Sequence, residues 1–192
     1  MKEYPNWFIR SAKDFFERNL PTEAGKPNLK YLQVGVFTGD TSVWLLNNIL
    51  TDSSSTLTDI DTWVGTTDEP MHALFDWSDV EKTYDEKLST YQNVIKCKSS
   101  SIDFFNSTQN KFDFIYIDGD HQPSAVLVDA NGAWNCLNAN GIIAFDDYGW
   151  QPKAIDFGYN QVPKPGIDEF LANHEGEYEI IDSGFQIWIK KL

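Results

Sequence analysis

The sequence predicts an α/β fold: one doubly wound, mostly parallel sheet with helices on both faces. Two observations predict it. Short apolar runs alternate with helix-forming stretches five times between Tyr31 and Asn173, and such alternation builds a parallel sheet through crossover connections. Two further strand-forming segments, Tyr178 to Ile181 and Phe185 to Ile189, then flank Asp182-Ser183-Gly184. They read as a hairpin adding antiparallel strands at one edge, the sixth and seventh of the sheet. Composition agrees: the 192 residues are 41% hydrophobic and 15% aromatic, enough for a single core-forming domain without staples.

The elements follow in order. Ser11 is placed to N-cap a short helix to Asn19, with Phe15, Phe16 and Leu20 on its apolar side; Pro21, Gly25 and Pro27 stop it. Residues 1–28 thus form a helical extension ahead of the sheet. Tyr31 to Val36 is a buried strand, Gly35 to Asp40 a glycine-containing turn, and Thr41 to Leu50 a helix apolar nearly all round. Leu57 to Asp61 is a strand ending in acid. Trp63 to Ser78 is polar, aromatic and irregular; a connection of that length reads as a lid or substrate loop. Val80 to Tyr91 is helical, Val94 to Lys96 a short strand, Ser101 to Phe105 a helical turn and Phe112 to Ile117 a strongly apolar strand. Pro123 to Leu137 is a helix with its proline in the first turn, where proline is tolerated. Gly141 to Phe145 is a strand and Gly166 to Asn173 a short helix.

Charge narrows the function. Fifteen Lys and Arg oppose 29 Asp and Glu, a net charge of -14. Such a chain repels phosphate backbones and anionic lipid, so nucleic-acid and membrane partners are not expected. Cys97 and Cys136 form no CxxC pair and no disulfide framework, which fits a reducing cytoplasm. The N-terminus lacks the apolar run of a signal peptide, and no stretch approaches the ~20 apolar residues of a membrane span. A homodimer stays open, since dimers are the commonest soluble oligomers.

Ligands of an open parallel sheet bind at the carboxyl ends of its strands. Here those ends carry Gly35 to Asp40, then Asp59 and Asp61, then Ser99 to Ser101, then Asp118-Gly119-Asp120-His121, then Asp146-Asp147-Tyr148. Gly35 and Gly39 allow close backbone approach to a ligand, and the helix beginning near Thr41 aims free N–H groups at it. The same spacing also serves a plain strand-to-helix turn. The dinucleotide pattern GxGxxG is absent, because Phe37 stands where its second glycine would be. Asp61 is placed to accept ribose hydroxyls, with Asp59 a competitor on the same face. Glycine turn and acid together argue for a nucleoside.

Asp118, Asp146 and Asp147 converge if the fourth and fifth strands are neighbours, since adjacent strands lie about 4.8 Å apart. Their mutual repulsion calls for a raised pKa or a cation, and hard oxygen ligands suit Mg2+, Mn2+ or Ca2+ better than Zn2+. The alternative is that Asp120, Asp146 or Asp147 are turn and cap residues facing water. His121 begins a helix, whose dipole favours the neutral ring and so a base near pH 7; a loop histidine without a role is the other reading. His72 and Glu69 lie in the long middle segment and could close over the site, His174 reads as surface, and Trp63 and Trp150 stand just beyond strand ends where they could line a pocket.

The segments YLQVGVFTGDTSVWLL, TLTDIDTW, FDFIYIDGDHQPSAVLVD and GIIAFDDYGW resemble the successive motifs of class I S-adenosylmethionine-dependent methyltransferases. Within that class they are most similar to metal-dependent small-molecule O-methyltransferases of the macrocin and caffeoyl-CoA types. The resemblance runs from about Leu29 to Trp150 and implies a sheet order 3-2-1-4-5-7-6 with the last strand antiparallel. It implies that Gly35 and Gly39 cradle the methionine part of S-adenosylmethionine, that Asp61 holds the ribose, and that Ser100 and Ser101 border the adenine. Asp118, Asp146 and Asp147 would hold a divalent cation, Mg2+ foremost, and Asp118 or His121 would take the proton of a small-molecule hydroxyl. Gln33 departs from the pattern: the family usually carries an acid there, so the cofactor contact at this position loses a charge. Rival readings on the same sheet are a nucleotide-binding oxidoreductase, a metal-dependent phosphohydrolase and a non-catalytic cofactor-binding module.

Overall fold

The computed structural model describes residues 3–66, 70–151 and 162–192. Its seven strands are β1 (Lys30–Val34), β2 (Thr56–Asp61), β3 (Val94–Lys98), β4 (Phe112–Ile117), β5 (Leu137–Phe145), β6 (Tyr178–Ser183) and β7 (Ile187–Lys191). They form one sheet in the order β3-β2-β1-β4-β5-β7-β6. β1 to β5 pair in parallel, while β7 runs antiparallel to both β5 and β6. The expected seven-stranded, doubly wound sheet is therefore the observed one. The strand order reverses between β1 and β4, and their diverging crossovers leave a crevice at the carboxyl ends.

Burial explains which runs become central strands. β1 and β4 are buried along nearly their whole length, whereas the edge strands β3 and β6 are largely exposed. One face of the sheet packs on α5 (Pro123–Cys136) and α6 (Lys164–Asn173), with Val126, Ala130, Ala133 and Phe170 against Val34, Ile117 and Phe145. The other face carries Tyr31, Phe114, Tyr116 and Trp188, covered by α1 (Lys13–Asn19), α2 (Asp40–Asn48) and α3 (Trp77–Leu88). α4 (Ser101–Ser107) leads from β3 into β4. Phe16 of α1 is fully buried, and its ring meets those of Phe8, Trp44, Phe114, Tyr116 and Trp188 at centroid distances of 5.0 to 5.8 Å. A π-helical turn, Phe8–Ala12, precedes α1. Phe8, Ala12, Phe15 and Phe16 face the sheet at helical spacing, leaving Trp7, Arg10 and Ser11 to point elsewhere. Among the described residues no helix is long and apolar enough to cross a membrane, and Cys97 and Cys136 are free thiols.

Several strand boundaries differ from the sequence reading: β1 ends at Val34 and β3 runs on to Lys98, and two differences are larger. β5 starts at Leu137, not Gly141: Leu137 pairs with Phe112 and Ile142 with Phe114, so the residues between bulge out around Asn140 (φ 63°). The hairpin turns later than expected, with Asp182 and Ser183 inside β6 and β7 beginning at Ile187. Asp182 is drawn into the strand because Arg18 Nε and Asn19 Nδ2 both donate to its Oδ2, at 2.5 and 2.6 Å. The Gly184 N–H then closes a tight turn on the Gln186 carbonyl.

Beneath the crevice lies a buried polar cluster. Gln33 pairs with Asp59 across β1 and β2, and both are sealed from solvent. The Tyr84 hydroxyl donates to Asp59 Oδ2 at 2.9 Å. Burial nevertheless pushes the Asp59 carboxyl up to about 7, against the opposing hydrogen bonds of Ser42 and Tyr84. An unfolded aspartate titrates near 3.9, so the native state holds this proton where the unfolded chain has lost it. The resulting stabilisation is complete below about pH 4 and is lost as pH rises through about 7. Thermal unfolding of Asp59→Asn against the wild type should show a small gap at pH 4 that widens in favour of the variant by pH 7 to 8. A gap independent of pH would mean that Asp59 ionises freely in the folded protein.

Candidate functional site

A cavity of about 660 Å³ opens at the carboxyl ends of β1 to β5. Its first half is built on the turn after β1. Gly35 has φ +80°, and a Cβ there would lie 1.8 Å from the Asp118 carbonyl oxygen; the ends of β1 and β4 therefore touch backbone to backbone. The Gln33 amide donates to the Gly35 carbonyl at 2.9 Å and accepts from the Ser42 hydroxyl at 3.3 Å. Gln33 thus reaches the cavity wall mainly as a brace for the turn. An acid in its place would set a second carboxyl beside the buried Asp59, and the amide avoids that repulsion.

Asp61 fixes the same turn from the β2 side. Its Oδ2 accepts from the Val36 and Phe37 N–H groups at 2.8 and 3.0 Å, and its Oδ1 from the Trp63 N–H at 2.7 Å. One carboxylate joins the loop after β1 to the loop after β2, with Phe37 in the left-handed region at φ 52°. Gly39 lies outside the residues that line the cavity; its φ is +80°, and a Cβ there would meet Leu88 and Tyr84 of α3 at 2.7 and 2.9 Å. It starts α2 in a left-handed conformation under a packed helix, which is reason enough for a glycine there. Ser100 N-caps α4, accepting from the Asp103 N–H at 3.1 Å, and Ser99 to Ile102 form the cavity wall beyond β3. Asp129 of α5, only 4% exposed, joins that wall. Burial pushes its carboxyl up to about 6, opposed by a hydrogen bond with Ser101. The sequence reading missed Asp129, although a lone acid between Val126, Ala130 and Ala133 on a buried helix face was the available signal.

The second half holds Asp118, His121 and Asp147, whose ligating atoms all lie within 4.8 Å of one another. His121 Nε2 stands 3.1 Å from Asp147 Oδ2, and the Trp150 ring packs on the imidazole at 5.2 Å. Asp146, the third aspartate of the expected set, lines the same cavity but lies outside this trio. Its Oδ1 accepts from Gln186 Nε2 at 2.7 Å, and Gln186 Oε1 in turn accepts from Trp188 Nε1 at 2.8 Å. Asp146 and Asp147 both follow the end of β5 in a turn, and Asp147, left-handed at φ 54°, has its carboxylate beside His121. Burial, with the charge of Asp147 beside it, holds the Asp146 carboxyl well above the usual range.

The long segment after β2 roofs the cavity with Val64, Gly65, Thr66, Met71, His72 and Trp77. His72 Nδ1 accepts from the Thr66 N–H at 3.1 Å; Glu69 lies outside the described residues. Trp63 is core, 2% exposed, with its Nε1 donating to the Phe37 carbonyl, while Trp150 does line the cavity. His174 lies away from it, against Trp134 and Phe170. The N-terminal Trp7, Arg10 and Ser11 supply a further wall that the sequence reading did not anticipate.

Residues 32–148, more than half of the chain and nearly all of both halves of this site, match the methyltransferase domain family. The chain belongs to that family, the S-adenosylmethionine-dependent class that its motifs resemble. An uncharacterised protein of Acanthamoeba polyphaga mimivirus is 27% identical over 166 residues, spanning 83% of this chain and 67% of that one. Among solved structures, a proposed rRNA methylase of Clostridium thermocellum matches with a TM-score of 0.67 at 14% identity over the full length of both chains. An O-methyltransferase of Bacillus cereus, solved with S-adenosylhomocysteine, matches with a TM-score of 0.61 at 17% identity, covering 100% of this chain and 93% of that one. At such identities these structures share the methyltransferase fold and nothing narrower.

Gly35 and Gly39 separate experimentally. Gly39→Ala should lose about 1–3 kcal/mol of stability through strain at positive φ, and Gly35→Ala more, because its Cβ would meet the Asp118 carbonyl. Only Gly35→Ala should also abolish S-adenosylhomocysteine binding measured by calorimetry, while Gly39→Ala keeps it within about threefold. Equal losses in both would place Gly39 on the ligand after all.

Proposed function

We propose that this methyltransferase transfers the methyl group of S-adenosylmethionine to a hydroxyl oxygen of a small-molecule acceptor, assisted by a divalent cation. One observation carries the reading: the Gly35–Asp61 turn and the Asp118–His121–Asp147 trio face a single cavity. A nucleoside fits the first half. The absent side chain at Gly35 leaves room for the methionine part. Asp61 Oδ1 takes a single N–H bond and retains capacity for a ribose hydroxyl. Ser100, Ser101 and Asp129 border the adenine. The sulfonium methyl then points toward the trio, and holding donor and acceptor in line is itself a large part of the catalysis.

Asp118, His121 and Asp147 are the residues that would hold the cation. Two carboxylates with one imidazole suit Mg2+ and still better Mn2+. When bound, such an ion supplies a Lewis acid that favours the deprotonated hydroxyl of the acceptor. The 3.1 Å contact between Asp147 and His121 also favours a second assignment. There, Asp118 and Asp147 would hold the ion, and His121 would take the hydroxyl proton, its imidazolium stabilised by Asp147. The trio replaces the Asp118–Asp146–Asp147 set in both. The acceptor is not a polynucleotide on this reading, since a chain of net charge -14 with acids around the cavity repels a phosphate backbone.

The test combines Mn2+ binding with methyl transfer to a hydroxylated acceptor panel. Asp118→Asn and Asp147→Asn should each lose Mn2+ binding and turnover, while Asp146→Asn keeps Mn2+ binding. His121→Asn decides the assignment: lost Mn2+ affinity makes it a ligand, and retained affinity with a rate reduced about 10²–10⁴-fold makes it the base. Metal-independent turnover in the wild type would overturn the metal-assisted mechanism.

A further inference from the structure

Resting on the reading of S-adenosylmethionine in the Gly35 half, we propose that the acceptor is an aromatic hydroxyl compound bearing a carboxylate, and that Arg10 binds that carboxylate. Arg10 lies on the π-helical turn Phe8–Ala12 and lines the cavity. Trp7, Arg10 and Ser11 share one helical face, turned from the core that Phe8 and Ala12 enter. Among the described residues Arg10 is the single Lys or Arg on the cavity wall, and within them it makes no ion pair or hydrogen bond. A chain with 29 acidic residues offers many carboxylates to an arginine. Arg10 is exposed, and with no partner among the described residues its planar fork stays available to a carboxylate from outside.

The cavity that holds Arg10 and the trio is rich in aromatic side chains. Phe15, one turn after Ser11, touches the position of Gly184, and the Gly149 N–H donates to the Phe185 carbonyl at 2.9 Å. Phe185 and Trp150 both line the cavity, and the Trp150 ring meets His121. Trp7, which packs on Phe37 at 4.5 Å, lines the same cavity. Such a lining suits a flat ring, and the proposal turns its hydroxyl to the trio and its anionic group to Arg10. The surrounding acids repel an anion elsewhere in the cavity, so the carboxylate also fixes which end of the acceptor enters first. Arg10 lies outside the segment that matches the family, residues 32–148, so this choice of acceptor is a property of the chain's own N-terminal extension.

The experiment measures calorimetric binding of protocatechuate and its primary amide to the full-length protein loaded with S-adenosylhomocysteine and Mg2+. The same titrations are made on Arg10→Gln and Arg10→Lys. The wild type should bind the acid roughly five- to tenfold more tightly than the amide, as expected for a charge-assisted contact. Arg10→Gln should bind the two alike with S-adenosylhomocysteine affinity unchanged, and Arg10→Lys should keep part of the preference. No preference for the acid in the wild type, including no binding of either compound, overturns the proposal, as does a preference that survives Arg10→Gln. Failure of S-adenosylhomocysteine to bind in the first place overturns the underlying methyltransferase site and the proposal with it.

Discussion

The contact between Gly35 and the Asp118 carbonyl sets the geometry on which the rest of the site depends. β1 and β4 are neighbours whose crossovers leave on opposite sides, so a crevice must open where they end. Because residue 35 has no side chain, the two chain ends meet backbone to backbone. That meeting joins the Gly35 half of the cavity, braced by Gln33 and Asp61, to the Asp118–His121–Asp147 half. Asp61 converts the junction into a rigid one. Three N–H groups from two loops end on a single carboxylate, so the turn after β1 cannot shift without the loop after β2.

Electrostatics divides the acids of the crevice into two kinds. Asp59, Asp129 and Asp146 are buried, and desolvation favours their neutral forms. They act as hydrogen-bonding parts of the scaffold. Asp118 and Asp147 face the open cavity beside an imidazole, where negative charge is available to a cation or an imidazolium. The buried acids thus shape the site without adding the repulsion that five ionised carboxylates would bring together.

The central strands were legible because each is a short apolar run buried on both faces, and such runs announce themselves without knowledge of their neighbours. The strand ends were legible for the same reason: polar residues directly after buried runs mark the carboxyl edge. What escaped the sequence depends on contacts distant along the chain. The late hairpin turn follows from Asp182 meeting Arg18 across 164 positions. Gly35 and Gly39 look alike in sequence, yet one faces Asp118 and the other faces α3. Asp146 and Asp147 are adjacent, yet one meets Gln186 and the other His121. Arg10 became a wall residue once Phe16 had anchored its helix on Phe114, Tyr116 and Trp188.

The central claim is that one cavity holds a nucleoside and, beside it, an ion at the proposed trio. Anomalous diffraction from crystals grown with S-adenosylhomocysteine and Mn2+ tests it most directly. The account predicts nucleoside density along Gly35 and Asp61, with one manganese peak at bonding distance from Asp118 and Asp147 and none at Asp146. Density for the nucleoside elsewhere, or a manganese peak centred on Asp146, would contradict it.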